Sequence, residues 1–223
     1  MKIFKPVTLL FAILLITACN SDDDDATPNY VLESDRDALI EIYNANTNNT
    51  LTWDITSADV STWDGVTVED SRVAVLSIGN SNIDDLPATA LQKLTALRSL
   101  VANNNSFLTI NISHNINLKN LQLFDNNLTA IDVSNNTLLE QLLLEGNNLE
   151  NLDVSMLVNL TDLKGGSNSF SNSVNIANGN NANMWRMELG SSTLSCVQVD
   201  AGATDGFTGW SISSNASYST HCL

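Results

Sequence analysis

The side chains of this chain that could do chemistry are few, and they are two histidines and three cysteines. His221 adjoins Cys222, so a Cys-His nucleophile could be built with Cys196. His114 follows an Ile-Ser pair in a turn, where we expect it to be exposed. The chain contains no His-Glu-x-x-His, no Gly-x-Ser-x-Gly and no phosphate-binding loop. An enzyme of unfamiliar design would also need a deep polar pocket.

The segment 200–206 is the one stretch with the rhythm of a calcium-binding loop. It places Gly202 and Thr204 where oxygen-rich ligands belong, so it fails as a site. Carboxylates are plentiful, but no spacing marks a catalytic pair. We therefore predict no catalytic residue, no metal site and no cofactor, and function has to be inferred from surfaces.

The overall composition fits a folded, acidic protein. Hydrophobic residues make up 43% of the 223 residues, which is enough for a sizeable core. Nine Lys and Arg against 25 Asp and Glu give a net charge of −16. Such a surface repels phosphates and anionic lipid headgroups, so nucleic-acid binding and membrane association through a basic patch are excluded.

An internal repeat dominates the middle of the chain. Gapless 21-residue units begin at Leu100, Leu121 and Leu142, and looser 24-residue units flank them. About six units lie between Arg72 and Asp200. Each unit is too small to bury its own apolar face, so its stability has to come from stacking on its neighbours.

The Leu-x-Leu-x-x-Asn-x-Leu core of each unit resembles the leucine-rich repeat. The resemblance implies an α/β solenoid with parallel concave strands, in which alternate leucines point inward. An asparagine side chain can both donate to and accept from the backbone of a buried turn, and a stacked ladder follows from its recurrence. Turn propensity alone is the alternative explanation. The ladder residues are Asn105, Asn126, Asn147 and Asn168.

The segment 33–71 resembles the N-terminal cap of extracellular leucine-rich-repeat proteins. Ser34–Asp37 reads as a capping-box start of a short helix, and Trp53 and Trp63 follow it. We predict that the tryptophans cover the first repeat, although sugar stacking is an alternative. Val68 stands where relatives often have cysteine, so this cap is expected to hold by packing alone.

The N-terminus reads as a targeting segment. Lys2 and Lys5 precede the uncharged run 7–18, which is too short to span a bilayer comfortably. The sequence that ends in Ala18-Cys19 resembles the bacterial lipobox, which implies a signal peptide at 1–18 and lipidation of Cys19. An ordinary signal peptide with a chance cysteine is the alternative. Residues 19–32, which include four consecutive aspartates, are expected to be a solvated tether.

The Ser-Asp run after Cys19 resembles the export signal of Gram-negative surface lipoproteins. It implies an outer-membrane protein that faces the cell exterior, with a periplasm-facing protein as the alternative. In an exported protein, Cys196 and Cys222 are most simply a disulfide, which would consume both thiols. The C-terminal segment 201–223 resembles the disulfide-closed end cap of bacterial repeat lipoproteins.

Residues between the inward leucines should point out from the concave face. Val101, Phe124 and Leu143 would then form an apolar group facing water, with Glu145 and Lys164 as a polar rim. Tolerated surface hydrophobics are the alternative. The predicted ligand-binding residues are Val101, Gln122, Phe124, Leu143, Glu145 and Lys164.

These observations predict a cell-surface binding module that recognises a protein or another macromolecule through the concave face. The alternative is a glycan-capture lipoprotein beside a nutrient uptake system. We expect a monomer that contacts the membrane only through its lipid and does not bind nucleic acid.

Overall fold

A computed structural model describes residues 31–205 and 207–222. The predicted signal peptide at 1–18, the predicted lipidation site Cys19 and almost all of the predicted tether lie outside the described residues. Among the residues described, no helix is both long and apolar enough to cross a membrane.

Each repeat contributes one short strand to a parallel sheet. The strands are β1 (Val66–Glu69), β2 (Arg72–Ser77), β3 (Ser99–Val101), β4 (Asn120–Gln122), β5 (Gln141–Leu143), β6 (Asp162–Lys164), β7 (Asn172–Asn175), β8 (Arg186–Leu189), β9 (Leu194–Gln198), β10 (Trp210–Ile212) and β11 (Ser217–Ser219). The large sheet has the order β1-β2-β3-β4-β5-β6-β8-β10, and β11-β9-β7 form a second sheet. Only the β1–β2 pair is antiparallel among these strands. The predicted solenoid of parallel strands is confirmed.

The core is a column of inward side chains at the strand centres. The register aligns Leu100 with Leu121 and Leu121 with Leu142, and all three are fully buried. Their strand neighbours on either side are only half-buried, because alternate residues of a strand point to opposite faces. The leucine period of the sequence therefore becomes one continuous core along the solenoid.

The N-terminal cap contains the helix α1 (Glu33–Ala45) and a 3₁₀ turn at Val60–Thr62, and the short helix α2 (Ala88–Leu91) follows in the first repeat. The rings of Tyr43, Trp53 and Trp63 stack in series, with centroid separations of 6.5 and 5.1 Å. Both tryptophans are buried. They cover the end of the core, as the sequence predicted.

Asp35 corrects two expectations about this cap. The capping-box prediction is wrong, because α1 begins at Glu33 and its N-cap, Leu32, makes no side-chain hydrogen bond. Asp35 instead lies fully buried in the first turn, where it pairs with Arg72 at 3.0 Å and accepts a bond from the Val73 N–H at 2.9 Å. The cap is thus joined to β2 by a charge-assisted link and does not hold by packing alone.

The C-terminal end is closed covalently. Cys196 on β9 and Cys222 form the predicted disulfide across 26 residues of sequence, with Cα atoms 5.9 Å apart. Trp210 lies between Phe207 and Tyr218, at centroid distances of 5.0 and 5.7 Å. The aromatic group covers the last turn of the core.

One column of asparagine side chains connects neighbouring repeats by hydrogen bonds on the side where the strands of the large sheet end. We call Asn105, Asn126, Asn147 and Asn168 the front column. In this column, Asn147 Nδ2 donates to the carbonyls of Leu123 and Leu144, at 2.9 and 3.0 Å. Its Oδ1 accepts a hydrogen bond from the Leu128 N–H at 3.0 Å. The same side chain thus supplies both donors and an acceptor to buried backbone groups of two repeats.

A second column lies on the opposite side of the repeats. We call Asn115, Asn136, Leu157 and Asn178 the back column. Asn136 Nδ2 donates to the carbonyls of Ile112 and Asn115, at 3.1 and 2.9 Å, whereas Asn136 Oδ1 is buried without a partner. The predicted ladder comprised the front column only.

Candidate ligand-binding face

The outward-pointing residues of β2, β3, β4, β5, β6 and β8 form what we call the sheet face, and they stand in three columns. The entry column lies at the strand starts and contains Val75, Ser99, Asn120, Gln141, Asp162 and Arg186. The middle column contains Ser77, Val101, Gln122, Leu143, Lys164 and Glu188. The exit column contains Gly79, Asn103, Phe124, Glu145, Gly166 and Gly190.

The three apolar residues predicted as a ligand contact lie on neighbouring repeats in the centre of this face. Val101, Phe124 and Leu143 are each half-buried, so they are less exposed than a free-standing apolar group would be. Gln122 lies between Val101 and Leu143 in the middle column and interrupts the apolar surface. Because Phe124 lies between a nearly buried Asn103 and a half-buried Glu145, polar side chains flank its ring along the column.

A continuous chain of hydrogen bonds runs along the entry column beside these residues. The amide of Gln141 donates to Asp162 Oδ2 at 2.6 Å, and the amide of Gln122 donates to Gln141 Oε1 at 3.0 Å. Gln122 also donates to Asn120 Oδ1 at 3.3 Å, and Asn120 donates to Ser99 at 3.0 Å. A chain whose members are all paired holds its side chains in fixed orientations.

Asp162 is the acceptor on which this chain of bonds ends. It is 2% exposed and forms a bidentate pair with Arg186, with both N–O distances at 2.6 Å. The side-chain hydrogen bond to Asp162 raises the pKa of Arg186 above its usual range, so the guanidinium keeps its charge. The guanidinium of Arg186 also lies 4.6 Å from the ring centroid of Trp185, which is 58% exposed at the edge of the face.

Lys164 occupies the centre of a second charged group. Its Nζ lies 3.5 Å from Glu145 Oε1 and 3.2 Å from Glu188 Oε2, so the group connects three successive repeats. The second carboxylate oxygen of Glu145, Oε2, is buried and has no partner. The predicted rim residues Glu145 and Lys164 are thus paired with each other.

The predicted ligand-binding residues therefore share one face, and the entry column beside them is what sequence reasoning missed. Asn120, Gln141, Asp162 and Arg186 come one residue before the first inward residue of their repeats. Because alternate residues of a strand point to the same face, the residue before the inward leucine or methionine shares its face with the residue that follows it. The alternation itself was the signal that could have found them.

Of the side chains considered first for chemistry, those that the structure describes make no reactive centre. His114 is exposed, and His221 is exposed with its Nδ1 beside the hydroxyl of Thr220. Cys196 and Cys222 are bonded to each other. Across residues 31–205 and 207–222, no three His, Cys, Asp or Glu side chains are grouped so that they could hold a metal ion.

The stacked strand-and-turn units with their asparagine column define a leucine-rich-repeat solenoid. Two solved structures that share this fold are the BIR2 ectodomain from Arabidopsis thaliana (TM-score 0.60, 18% identity) and the ectodomain of the receptor kinase SOBIR1 from the same plant (TM-score 0.55, 19% identity). Each match covers 82% of this chain and 96% of the other.

The functional domain of InlJ from Listeria monocytogenes is more similar in sequence, at 28% identity, with a TM-score of 0.49. That match covers 56% of this chain and 29% of the InlJ chain, so the present chain spans less than a third of it. No protein-family model matches the chain, and no curated protein matches it.

Proposed function

We propose that the protein is a binding module that recognises a protein partner through the centre of the sheet face. The observation that carries this proposal is the position of Phe124, a large aromatic side chain on an open face between Asn103 and Glu145. The inward core is complete without it, so packing gives no reason for an aromatic residue there.

The surroundings of Phe124 have the composition of a protein-binding surface. Val101 and Leu143 supply apolar area on the adjacent repeats, and the paired amides beside them form a polar border. Aromatic side chains at the centre of such a patch, bordered by polar groups, provide most of the binding energy in many interfaces. The polar border is held in place before a partner arrives, which reduces the entropic cost of binding.

The double substitution Phe124→Asp and Leu143→Asp tests this proposal. The immobilised full chain would be used to isolate a partner by chemical crosslinking, and the dissociation constant would then be measured with purified components. We expect the double variant to bind at least about tenfold more weakly, the equivalent of about 1.4 kcal/mol.

The matched control is Leu138→Asp, because Leu138 is an exposed leucine outside the three columns of the sheet face. Circular dichroism would verify that both variants are folded. Equal affinity of the wild type and the double variant would refute the proposed surface.

We also propose that the protein is a lipoprotein anchored through Cys19 in the outer membrane and facing the cell exterior. The support is the lipobox-like segment before Cys19 and the aspartate run after it. Protease treatment of intact cells should remove the repeats, and Cys19→Ser should release the chain from the membrane fraction. Protection of the repeats in intact cells with an unbroken outer membrane would contradict surface display.

A further inference from the structure

Two glycines of the exit column have no structural reason to be glycine. A Cβ atom built on Gly190 meets no atom within 4 Å, and one built on Gly166 meets only the Gly190 nitrogen at 4.0 Å. Neither residue has the positive φ that favours glycine. By contrast, a Cβ on the adjacent Gly165 would come within 2.8 Å of the buried Leu189 side chain.

The two glycines form the floor of a groove at the C-terminal end of the sheet face. The groove has a volume of about 490 Å³, and Glu188, Ser211 and Ser213 also line it. This volume is within the range of small-molecule sites. A glycine that packing does not need, on an open strand, is the residue that lets a ligand approach the backbone closely.

The border of the groove selects the kind of ligand. Glu188 lines the groove and pairs with Lys164, which also pairs with Glu145 outside the lining, so the three side chains together carry one net negative charge. The outward side chains of β6 and β8 are charged, and Leu189, Trp210 and Ile212 add apolar atoms to the lining of the groove. The site offers closely spaced donors and acceptors with little net charge.

These properties suit a neutral polyhydroxylated ligand. The Glu188 carboxylate lines the groove and can accept from a ligand hydroxyl group, and the hydroxyl of the exposed Ser211 can donate to one. Trp185 lies at the other end of the β8 row, five residues from Gly190 and therefore about 16 Å away at the usual strand rise. Its exposed ring can pack against the C–H face of a sugar.

We infer that the groove over Gly166 and Gly190 is a binding site for a short neutral oligosaccharide that extends along β8 towards Trp185. This site is separate from Phe124 and Leu143 and goes beyond the proposed protein-binding function. The proposal concerns binding of the ligand only and includes no chemical step.

The test is an NMR titration of the ¹⁵N-labelled full chain with maltotriose, cellotriose, mannotriose and xylotriose. Each sugar would be added to about 10 mM, so that a dissociation constant of about 1 mM would still be measured. At least one sugar should shift the backbone amides of Gly166, Gly190 and Ser211 and the indole signal of Trp185. Gly190→Gln should weaken that binding at least tenfold without unfolding the chain, because the space for a side chain is open.

The matched control is Ser77→Gln, which adds the same side chain to the exposed Ser77 at the far end of the sheet face. It should leave the affinity unchanged. The inference is overturned if none of the four sugars shifts these amides, or if Gly190→Gln binds as the wild type does. Shifts caused by trilysine and by no sugar would also overturn it and would indicate a peptide site. The Phe124 and Leu143 variant should keep sugar binding, which separates this test from that of the protein-binding surface.

Discussion

The front and back columns carry asparagine in the same repeats except at Leu157 of the back column, and the two columns differ in what the backbone requires of the side chain. In the front column, Asn147 gives the buried Leu128 N–H an acceptor on a neighbouring repeat. In the back column, the carbonyls that Asn136 contacts already accept backbone bonds, since Asn115 N–H donates to Ile112 and Leu118 N–H donates to Asn115. The front asparagine is thus needed by the backbone, whereas the back asparagine supplements bonds that exist without it.

Leu157 illustrates the difference. It occupies the back column in the third 21-residue repeat, and its turn keeps the same backbone bonds as the turns of its neighbours, from Leu157 N–H to Val154 and from Leu160 N–H to Leu157. An apolar residue therefore serves in the back column. The front column has asparagine in four successive repeats. Asparagine therefore recurs most strictly at the position where buried backbone groups depend on its side chain.

The largest effect is expected from Asn147→Leu in the front column. The substitution removes four hydrogen bonds and leaves the Leu128 N–H buried without an acceptor, so the free energy of unfolding should fall by about 2–4 kcal/mol. Chemical denaturation followed by circular dichroism measures the change. A loss below about 1 kcal/mol would contradict the proposed role of this column.

A smaller effect should come from Gly165→Ala. This change tests whether two adjacent glycines also differ in how well the structure tolerates substitution. The new methyl group would meet the Leu189 side chain in the core, at a cost of about 1–2 kcal/mol. Gly166→Ala is the matched control and should leave the unfolding midpoint unchanged or slightly raised. Equal destabilisation by both changes would mean that Gly166 also has a structural role.

The smallest effect should come from Asn136→Leu in the back column. It loses two bonds to carbonyls that keep their backbone donors, and it removes a buried Oδ1 that has no partner, so the change should be at most about 1 kcal/mol. The same denaturation experiment gives a direct comparison with Asn147→Leu. If both variants lost the same stability, the distinction between the two columns would be wrong.

The sequence predicted the repeat and its strands because these depend on local periodicity. The sequence was less successful where a side chain pairs with a residue that is distant along the chain. Asp35 read as part of a helix cap, but its partner Arg72 lies 37 positions further along the chain. No local rule for helix starts contains such a partner.

The candidate site divides in the same way. Val101, Gln122, Phe124, Leu143, Glu145 and Lys164 were placed on one face by strand alternation alone, and the structure shows them on that face. The pairing of Lys164 with Glu145 and Glu188, the burial of Asp162 and the open space above Gly166 and Gly190 depend on side chains from three different repeats.

The sequence by itself thus determined the inward leucines, the asparagine slot and the number of repeats, because each follows from a fixed spacing along the chain. Tertiary structure decided which asparagines the backbone depends on and which glycines are free. Both questions concern the atoms of the next repeat, which lie 19 to 24 residues away in sequence but in direct contact in space. Local spacing specifies the direction in which a side chain points, and only packing specifies what it meets there.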